Sequence, residues 1–266
     1  MDTAVAPPLQ LVSTLLAGRK GLVVGIANEN SIAWGCARVF RELGAEVAVT
    51  WINEKARPHV QPLAGVLEAP IAMPLDVERP GEMEAVFGAI RETWGRLDFV
   101  LHSIAYAPAQ DLHGRVVDTS REGFARAMDI SCHSFVRMAR AAEPLMDRGG
   151  ALLTMSFVGA DQVIPRYGVM GPVKSALESS VRYLAAEMGP RAIRVNAVSP
   201  GPIPTRAASG IPEFDELAAD ARTRAPIRRA IALEDVGTLC AFLVSDAARS
   251  ITGHTLYVDN GFHILA

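Results

Sequence analysis

The sequence has few of the features that mark metal, disulfide, nucleic-acid-binding and membrane proteins. Its cysteines, Cys36, Cys132 and Cys240, are far apart and odd in number, which predicts small buried side chains in a reducing compartment rather than disulfides. The histidines have no metal-ligand spacing, so no metal site is expected. A formal net charge of −3 and a pI near 6.1 argue against nucleic acid and membrane surfaces as partners, because both attract clustered positive charge.

Targeting and membrane-spanning patterns are absent from the sequence as well. No apolar run reaches the roughly 20 residues of a membrane span, and the first residues lack the basic and apolar regions of a secretion signal. We therefore expect a cytoplasmic protein that does not enter a membrane. Residues 1–14 contain Pro7-Pro8 and no clear periodicity, which predicts a flexible N-terminal arm.

The sequence also lacks internal repeats and Gly/Ser-rich linkers, and 266 residues suit one large domain. Short apolar runs alternate with helical patterns from residue 15 to residue 266. This alternation predicts a single-domain, Rossmann-type doubly wound α/β fold, with about seven parallel strands and helices on both faces. Proline and glycine in 200–212 predict a long substrate loop, 200–225, after a central strand.

The first strand-to-helix turn, 25–35, lacks the G-x-G-x-x-G fingerprint of dinucleotide sites. It still suits a phosphate: Gly25 allows a tight exit from the strand, Ser31 is expected to cap the helix, and Gly35 is expected to let that helix approach the sheet. The residues alone leave an ordinary turn equally open. The acidic residue that commonly holds the adenosine ribose after the second strand is also missing, since Trp51-Ile52-Asn53 stands there.

Two further local patterns lie beside predicted helices. Asp76 follows the third strand, where it could bind an adenine amino group or cap the next helix, and both interpretations stay open. Thr119 and Glu122 have the spacing of a capping box for the helix that follows.

Tyr167 and Lys174 are the candidate catalytic pair. They lie at the start of a helical pattern from about residue 168 to 188, directly after the strand 151–155. Seven residues make nearly two helical turns, which predicts that both side chains share one face about 10 Å apart along the axis. A phenol and an ammonium so placed can bind a substrate carbonyl and a ribose diol. On spacing alone, a structural tyrosine and a surface-reaching lysine remain the alternative.

The motifs form a series from residue 16 to residue 262. They are G-x5-S-I-A-x-G from Gly25, Asp76-Val77, H-S-I-A-Y-A-P from His102, Asp129-Ile130-Ser131, Tyr167-x6-Lys174, R-V-N-A-V-S-P-G-P-I-x-T from Arg194, A-A-S-G-I from Ala207, and V-D-N-G-F from Val258. Together they resemble the NADH-dependent enoyl-(acyl carrier protein) reductases of the bacterial fatty-acid cycle. These are divergent members of the short-chain dehydrogenase/reductase superfamily, which usually has Y-x3-K and an N-A-G run; Gly171 stands where that lysine would be.

The resemblance implies hydride transfer from NADH to C3 of a trans-2-enoyl thioester, followed by protonation at C2, as the last reductive step of fatty-acid elongation. It implies that Tyr167 donates to the thioester carbonyl and that Lys174 binds the nicotinamide ribose. The cofactor-binding residues that it implies are Gly25, Ser31, Ile32, Asp76, Val77, Ile104, Lys174, Ile203, Thr205 and Ala207. The substrate-binding residues are Ala107, Phe157, Tyr167, Ala208 and Ile211. It also implies a homotetramer that accepts acyl carrier protein as a partner.

The sequence departs from the family pattern at two positions. Phe157 stands where many members have a second tyrosine, and Ile52 stands where NADH-using members often have glutamine. NADPH therefore stays open as the second cofactor choice. The acidic run 212–216 would repel an acidic carrier protein. Arg222, Arg224, Arg228 and Arg229 could compensate, and an ordinary solvated surface stays open as the alternative for them.

Two other classes of function stay open. A carbonyl reductase of the same superfamily, acting on a 3-oxoacyl thioester or another ketone, is the first alternative, disfavoured by the Tyr-Lys spacing. An inactive, cofactor-binding regulatory protein is the second, disfavoured by the presence of both Tyr167 and Lys174.

Overall fold

The structure is a computed structural model, and it describes residues 14–206, 208–210 and 213–265. The predicted N-terminal arm therefore lies outside the described residues, apart from Thr14, which is exposed in a turn. Ala207 and Ile211, which the resemblance assigns to the site, also lie outside them.

The sheet has seven parallel strands in the order β3-β2-β1-β4-β5-β6-β7. The order reverses direction between β1 and β4, and such a switch point opens a crevice at the carboxyl ends of the strands. The predicted doubly wound parallel sheet is confirmed. The strands are β1 (Lys20–Val24), β2 (Glu46–Trp51), β3 (Ala72–Pro74), β4 (Phe99–His102), β5 (Gly150–Met155), β6 (Ile193–Pro200) and β7 (Thr255–Val258).

Helices cover both faces of the sheet because successive strand residues point to opposite sides. Leu152 belongs to the core beneath α3, α6 and α7, whereas Leu153 belongs to the core beneath α1, α2 and α9. The α-helices of the described residues are α1 (Ile32–Glu42), α2 (Arg57–Val66), α3 (Glu82–Trp94), α4 (Ala109–Leu112), α5 (Arg121–Met128), α6 (Ser134–Ala142), α7 (Met170–Met188), α8 (Phe214–Arg224) and α9 (Leu233–Val244). A π-helical turn, Asp129–His133, joins α5 to α6.

The cysteines are part of these cores. Cys36 and Cys240 lie in the core of α1 and α9, Cys132 lies in the opposite core, and all three are buried and unbridged. Within the described ranges, no helix is long and apolar enough to cross a membrane. No cluster of three or more His, Cys, Asp or Glu side chains in the same ranges is placed to hold a metal ion.

Gly35 corrects one prediction about packing. A Cβ there would lie 2.4 Å from Cβ of Leu233, so this glycine lets α1 approach α9 rather than the sheet. The opposing glycine, Gly237, also lies close to α1: its added Cβ would meet Cγ2 of Val39 at 2.8 Å and the backbone oxygen of Gly35 at 3.0 Å. Two small residues thus set the distance between the two helices.

The structure corrects one prediction about a helix start and excludes one open interpretation. The N-cap of α5 is Ser120, whose hydroxyl accepts from the backbone N of Gly123 at 2.9 Å. Asp111 fixes Ser120 by accepting from its backbone N at 2.7 Å, so the cap lies one residue beyond Thr119. Asp76 does not cap α3, because that helix begins after Gly81, which has a φ of 87°.

The predicted loop 200–225 is irregular only in its first half. Its second half is α8, which has Asp215 and Glu216 in the first turn, Arg222 and Arg224 in the last turn, and a buried Phe214. Acidic residues at a helix start and basic residues at its end favour helix formation through the helix dipole. The prolines and glycines of 200–212 therefore predict irregular structure only up to the start of α8, and the predicted loop ends there instead of at residue 225.

Candidate active site

A cavity of about 370 Å³ lies at the carboxyl ends of β1, β4, β5 and β6. The segments that directly follow those strands form most of its wall, and Phe214 of α8 covers one side. The position is the one that the strand order predicts for a ligand.

Gly25 shapes the end of the cavity beside β1. Its φ is 108°, and an added Cβ would lie 2.1 Å from the backbone oxygen of Ser103. The chains after β1 and β4 pass so closely that only a glycine fits between them. This agrees with the predicted tight exit from the first strand.

Ser31 lies at the N-cap position of α1, but its hydroxyl does not cap the helix, so this prediction was wrong. The hydroxyl accepts from the backbone N of Ala27 and of Asn28, both at 2.9 Å, and donates to the backbone oxygen of Asn28 at 2.6 Å. Ser31 therefore closes the preceding loop. No side-chain hydrogen bond caps the amino end of α1, which leaves its positive dipole end available to an anion.

Tyr167 precedes α7 instead of lying on it. The turn that carries it has positive φ on both sides, 62° at Arg166 and 53° at Gly168, so the predicted helical relation to Lys174 was wrong in its geometry. The ring is 7% exposed and lies 5.0 Å from the ring of Phe157, centroid to centroid. Burial raises the pKa of the Tyr167 phenol well above its usual value. The phenol therefore keeps its proton and can act as a hydrogen-bond donor.

Lys174 lies in the second turn of α7 with 4% of its surface exposed. Its Nζ donates to the backbone oxygen of Met155 at 2.6 Å. Burial lowers the pKa of Lys174 to about 8, while Cys132 and Glu178 act to raise it. Because the side chain turns inward and lines the cavity, the alternative of a surface-reaching lysine is wrong. An ammonium has three donors, so two are left for a ligand.

His102 closes a buried hydrogen-bond chain beneath the site. Its Nδ1 lies 2.9 Å from Oγ1 of Thr154, and its Nε2 lies 2.8 Å from Oγ of Ser134, which itself donates to the backbone oxygen of Ile130. Ser134 must then accept from Nε2, and Nδ1 must accept from Thr154. Burial, with Lys174 nearby, lowers the pKa of His102 to about 3, which keeps the ring neutral in this chain of bonds.

Most of the residues that the resemblance assigns to cofactor or substrate meet at this cavity. Those that line it are Gly25, Ser31, Ile32, Ile104, Ala107, Phe157, Tyr167, Lys174, Ile203, Thr205 and Ala208. Asp76 and Val77 do not line it; the carboxylate of Asp76 accepts from the backbone N of Glu78 at 3.0 Å, beyond the end of β3.

Several lining residues went unrecognised in the sequence. They include Tyr106, Leu112, Ser156, Met170 and Phe214. The position of Ser156 directly after a central strand could have revealed it, as for Gly25. Leu112 and Phe214 come from short or unpredicted helices, and their sequence pattern alone does not indicate a cavity.

The segment after β2 has no carboxylate in the usual ribose position. Ile52 is 56% exposed, and Asn53 forms a turn by accepting from the backbone N of Lys55 and of Ala56, both at 3.1 Å. Arg57 forms an ion pair with Glu54 at 3.3 Å and lies over the ring of Trp51. The nearest guanidinium is thus already bound to an acid.

A family model described as enoyl-(acyl carrier protein) reductase matches residues 25–263. The chain belongs to this family. The NADH enoyl-(acyl carrier protein) reductase 1 of Rhizobium meliloti (strain 1021) is 46% identical to it over 251 residues, which cover 94% of this chain and 92% of that protein. The prediction of an oxidoreductase of this family is confirmed, and the carbonyl reductase alternative is not favoured.

Solved structures of enoyl-(acyl carrier protein) reductases superpose on almost all of this chain. The enzyme of Anaplasma phagocytophilum in complex with NAD has a TM-score of 0.92 and 44% identity, covering 96% of this chain and 97% of that one. The Bacillus cereus enzyme with NADP⁺ and indole naphthyridinone has a TM-score of 0.92 and 42% identity, covering 95% and 99%. The fold of this reductase family is therefore the fold of the chain.

Proposed function

We propose that the chain uses NADH to reduce the C2–C3 double bond of a trans-2-enoyl thioester in fatty-acid synthesis. The observation that carries this proposal is the meeting of Tyr167 and Lys174, both buried, at one cavity beside the open amino end of α1. The family membership supports the same reaction.

The cavity suits a dinucleotide. The missing side chain at Gly25 lets the segments after β1 and β4 pass closely beside the cavity. The start of α1, at Ser31 and Ile32, has no side-chain cap and suits a pyrophosphate. Ile104 lies in the small-residue segment after β4 and would contact the nicotinamide side, with Lys174 holding the ribose hydroxyls. When bound, the cofactor supplies the hydride.

The chain's own residues would provide charge stabilisation and exclusion of water. Tyr167 would donate a hydrogen bond to the thioester carbonyl oxygen as negative charge grows there, and its raised pKa keeps the donor proton in place. Lys174 would fix the ribose and add positive charge. Ala107, Phe157 and Met170 form apolar wall that would surround the acyl chain.

NADH is expected to be preferred to NADPH. The 2′-phosphate of NADPH needs a free positive partner just after β2, whereas Arg57 there is paired with Glu54. Lys55 is the remaining cation of the segment. The relatives differ in what their structures hold, since the Anaplasma structure contains NAD and the Bacillus cereus structure contains NADP⁺.

The test is to follow NADH and NADPH oxidation with crotonyl and longer enoyl thioesters, with a 3-oxoacyl thioester as the control. We expect oxidation with the enoyl substrates and a higher specificity constant for NADH. Oxidation that depends only on the 3-oxoacyl thioester would refute the proposal and restore the carbonyl reductase alternative. Equal specificity constants for the two cofactors would show that Lys55 or Arg57 reaches the 2′-phosphate.

We also propose an acyl carrier protein as the natural carrier of the substrate, a cytoplasmic location and a homotetramer. Three buried, unbridged thiols suit a reducing compartment. Val163 is 96% exposed, Tyr183 of α7 is 71% exposed, and β7 leaves one edge of the sheet unpaired within the described residues. In a homotetramer, other copies of the chain would cover such surfaces. Light scattering is expected to give the mass of four chains. A monomer mass would refute the homotetramer.

The four remaining assigned residues belong to the same proposal. Asp76 and Val77 follow β3, where they would contact the adenine beyond the described cavity. Ala207 and Ile211 would contact cofactor and acyl chain, respectively. Asp76→Ala is expected to weaken NADH binding without changing the enoyl substrate's KM, and an unchanged NADH affinity would remove Asp76 from the site.

A further inference from the structure

Two residues of α7 hold two consecutive residues at the end of β5. Nζ of Lys174 donates to the backbone oxygen of Met155 at 2.6 Å, and Oγ of Ser156 donates to Oε1 of Glu178 at 2.5 Å. Lys174 and Glu178 are four positions apart, so they lie on one side of the helix. Lys174 and Ser156 line the cavity, whereas Glu178 lies behind them and does not.

The position of Ser156 is set independently of α7. Its backbone N donates to the backbone oxygen of Val198 in β6 at 2.7 Å, so the sheet fixes the residue whose hydroxyl binds Glu178. Glu178 is half-buried, and the bond from Ser156 holds its carboxylate on the side of α7 that carries Lys174. A charge on a held side chain acts more strongly than a charge on a mobile one.

Among the described residues, Glu178 is the carboxylate whose charge acts on Lys174. The other titratable groups that face Lys174 are uncharged around neutral pH: His102 of β4 has a pKa near 3, and burial raises the pKa values of Tyr167 and of the Cys132 thiol.

The titratable groups on the other side of Glu178 act on each other and not on Lys174. On that side Glu178 faces Tyr257 of β7, whose burial raises the pKa of its phenol, with Asp161 and Asp259 also acting on that ring. Asp259 is bound to His263 at 2.9 Å.

We propose that Glu178, held by Ser156, is a positioning residue that keeps Lys174 positively charged inside the cavity. Its carboxylate opposes the burial that drives the ammonium toward the neutral form. The use of that charge in cofactor binding rests on the proposed function, but the titration of Lys174 does not.

The titration can be measured directly because lysine is rare in this chain. The lysines are Lys20, Lys55 and Lys174, so protein labelled with ¹³C at lysine Cε gives few NMR signals. Lys55 is exposed and Lys20 is half-buried, and both serve as internal controls in the same spectrum. A Lys174→Arg variant assigns the remaining signal. In the parent protein without cofactor, the midpoint for Lys174 is expected near pH 8.

Glu178→Gln tests the charge while an amide oxygen remains for Ser156. We expect the Lys174 midpoint to fall by about 0.5 to 1 pH unit, a reduced form of the shift that a close opposite charge produces. Glu187→Gln is the matched control, because Glu187 lies on the same helix and is exposed. The Lys174 midpoint in the Glu187→Gln variant is expected to match that of the parent protein. Ser156→Ala, which frees the carboxylate, is expected to give an intermediate midpoint.

Equal midpoints for Glu178→Gln and Glu187→Gln would overturn the proposal, as would a Ser156→Ala midpoint equal to the parent's. Thermal melting of each variant shows whether it is folded. NADH affinity, measured by fluorescence across the same pH range, separates the titration of Lys174 from its role in cofactor binding. Near pH 8 we expect about threefold weaker binding by Glu178→Gln, from the smaller charged fraction of Lys174, and near-parent binding at pH 6.5. A shifted midpoint with unchanged NADH affinity would leave the Glu178 proposal intact and refute the cofactor role of Lys174.

Discussion

Replacing Gly25 by alanine tests the geometry of the cavity at one atom. The backbone there has a φ of 108°, and the added Cβ would lie 2.1 Å from the backbone oxygen of Ser103, where ordinary contact begins near 3.4 Å. The two chain segments cannot separate freely, because the backbone N of Ser103 donates to the backbone oxygen of Val24 at 3.0 Å. The clash therefore has to be relieved by moving the end of β1 or β4.

The cost has two parts. A residue with a Cβ at positive φ costs about 1 to 2 kcal/mol, and loss of the bond between Ser103 and Val24 costs about 1 kcal/mol more. The free energy of unfolding is expected to fall by about 2 to 3 kcal/mol, which lowers the melting temperature by about 4 to 12 °C for a domain of this size. Because the displaced backbone lines the cavity, NADH affinity is expected to fall at least tenfold, about 1.4 kcal/mol.

The measurements are thermal melting and NADH fluorescence titration. Gly88→Ala is the control, because Gly88 lies within α3 and an added Cβ there would meet nothing within 4 Å. That variant is expected to gain about 0.5 to 1 kcal/mol in stability from reduced backbone freedom in the unfolded chain and to bind NADH normally. If Gly25→Ala melts with the parent protein and binds NADH equally well, the close approach of β1 and β4 is wrong.

Three further predictions concern the site, the core and the carrier. Tyr167→Phe is expected to lower kcat with an enoyl thioester by about 10²-fold while NADH still binds, whereas Lys174→Ala is expected to lose NADH binding; the opposite pattern in stopped-flow and fluorescence data would reverse the two roles. His102 has a folded-state pKa near 3 against 6.5 unfolded, so stability is complete above pH 6.5 and falls as the pH drops; about 2 kcal/mol is lost by pH 5 in urea unfolding, and an equal loss in His102→Gln would exclude His102 as the cause. Arg228 is exposed while Arg229 is bound to Asp235 at 2.7 Å, so Arg228→Glu is expected to raise KM for a carrier-linked enoyl substrate at low salt; an equal rise with the coenzyme A thioester would place carrier docking elsewhere.

The alternation of strands and helices could be predicted because each apolar run is buried on both sides of the sheet. Leu152 and Leu153 belong to different cores, so a continuous apolar strand is the expected pattern. Helix α2 could not be predicted from its sequence, because it contains Pro58 and Pro62 and proline normally argues against a helix interior. Local patterns fail in such places because packing, here of Val60 and Ala64, decides the structure.

The acidic run before α8 shows a second limit of sequence patterns. Glu213 was expected to repel an acidic carrier, but it forms an ion pair with Arg166 from the turn that carries Tyr167. The two residues are 47 positions apart, so no local pattern indicates their contact. Repulsion is therefore left to Asp215 and Glu216, and the arginines have less to offset than the sequence suggests.

The turn before α7 explains the seven-residue spacing of Tyr167 and Lys174. A four-residue spacing suits a tyrosine and a lysine that lie on one helix face. Here the tyrosine precedes the helix, in a turn with positive φ at Arg166 and Gly168, and an added Cβ at Gly168 would lie 2.6 Å from the backbone oxygen of Leu112. The helix therefore places only Lys174, while the segment after β4 fixes the turn that places Tyr167. Because two different segments place the two residues, their seven-residue spacing does not have to match a helix face, and helical geometry alone could not have predicted it.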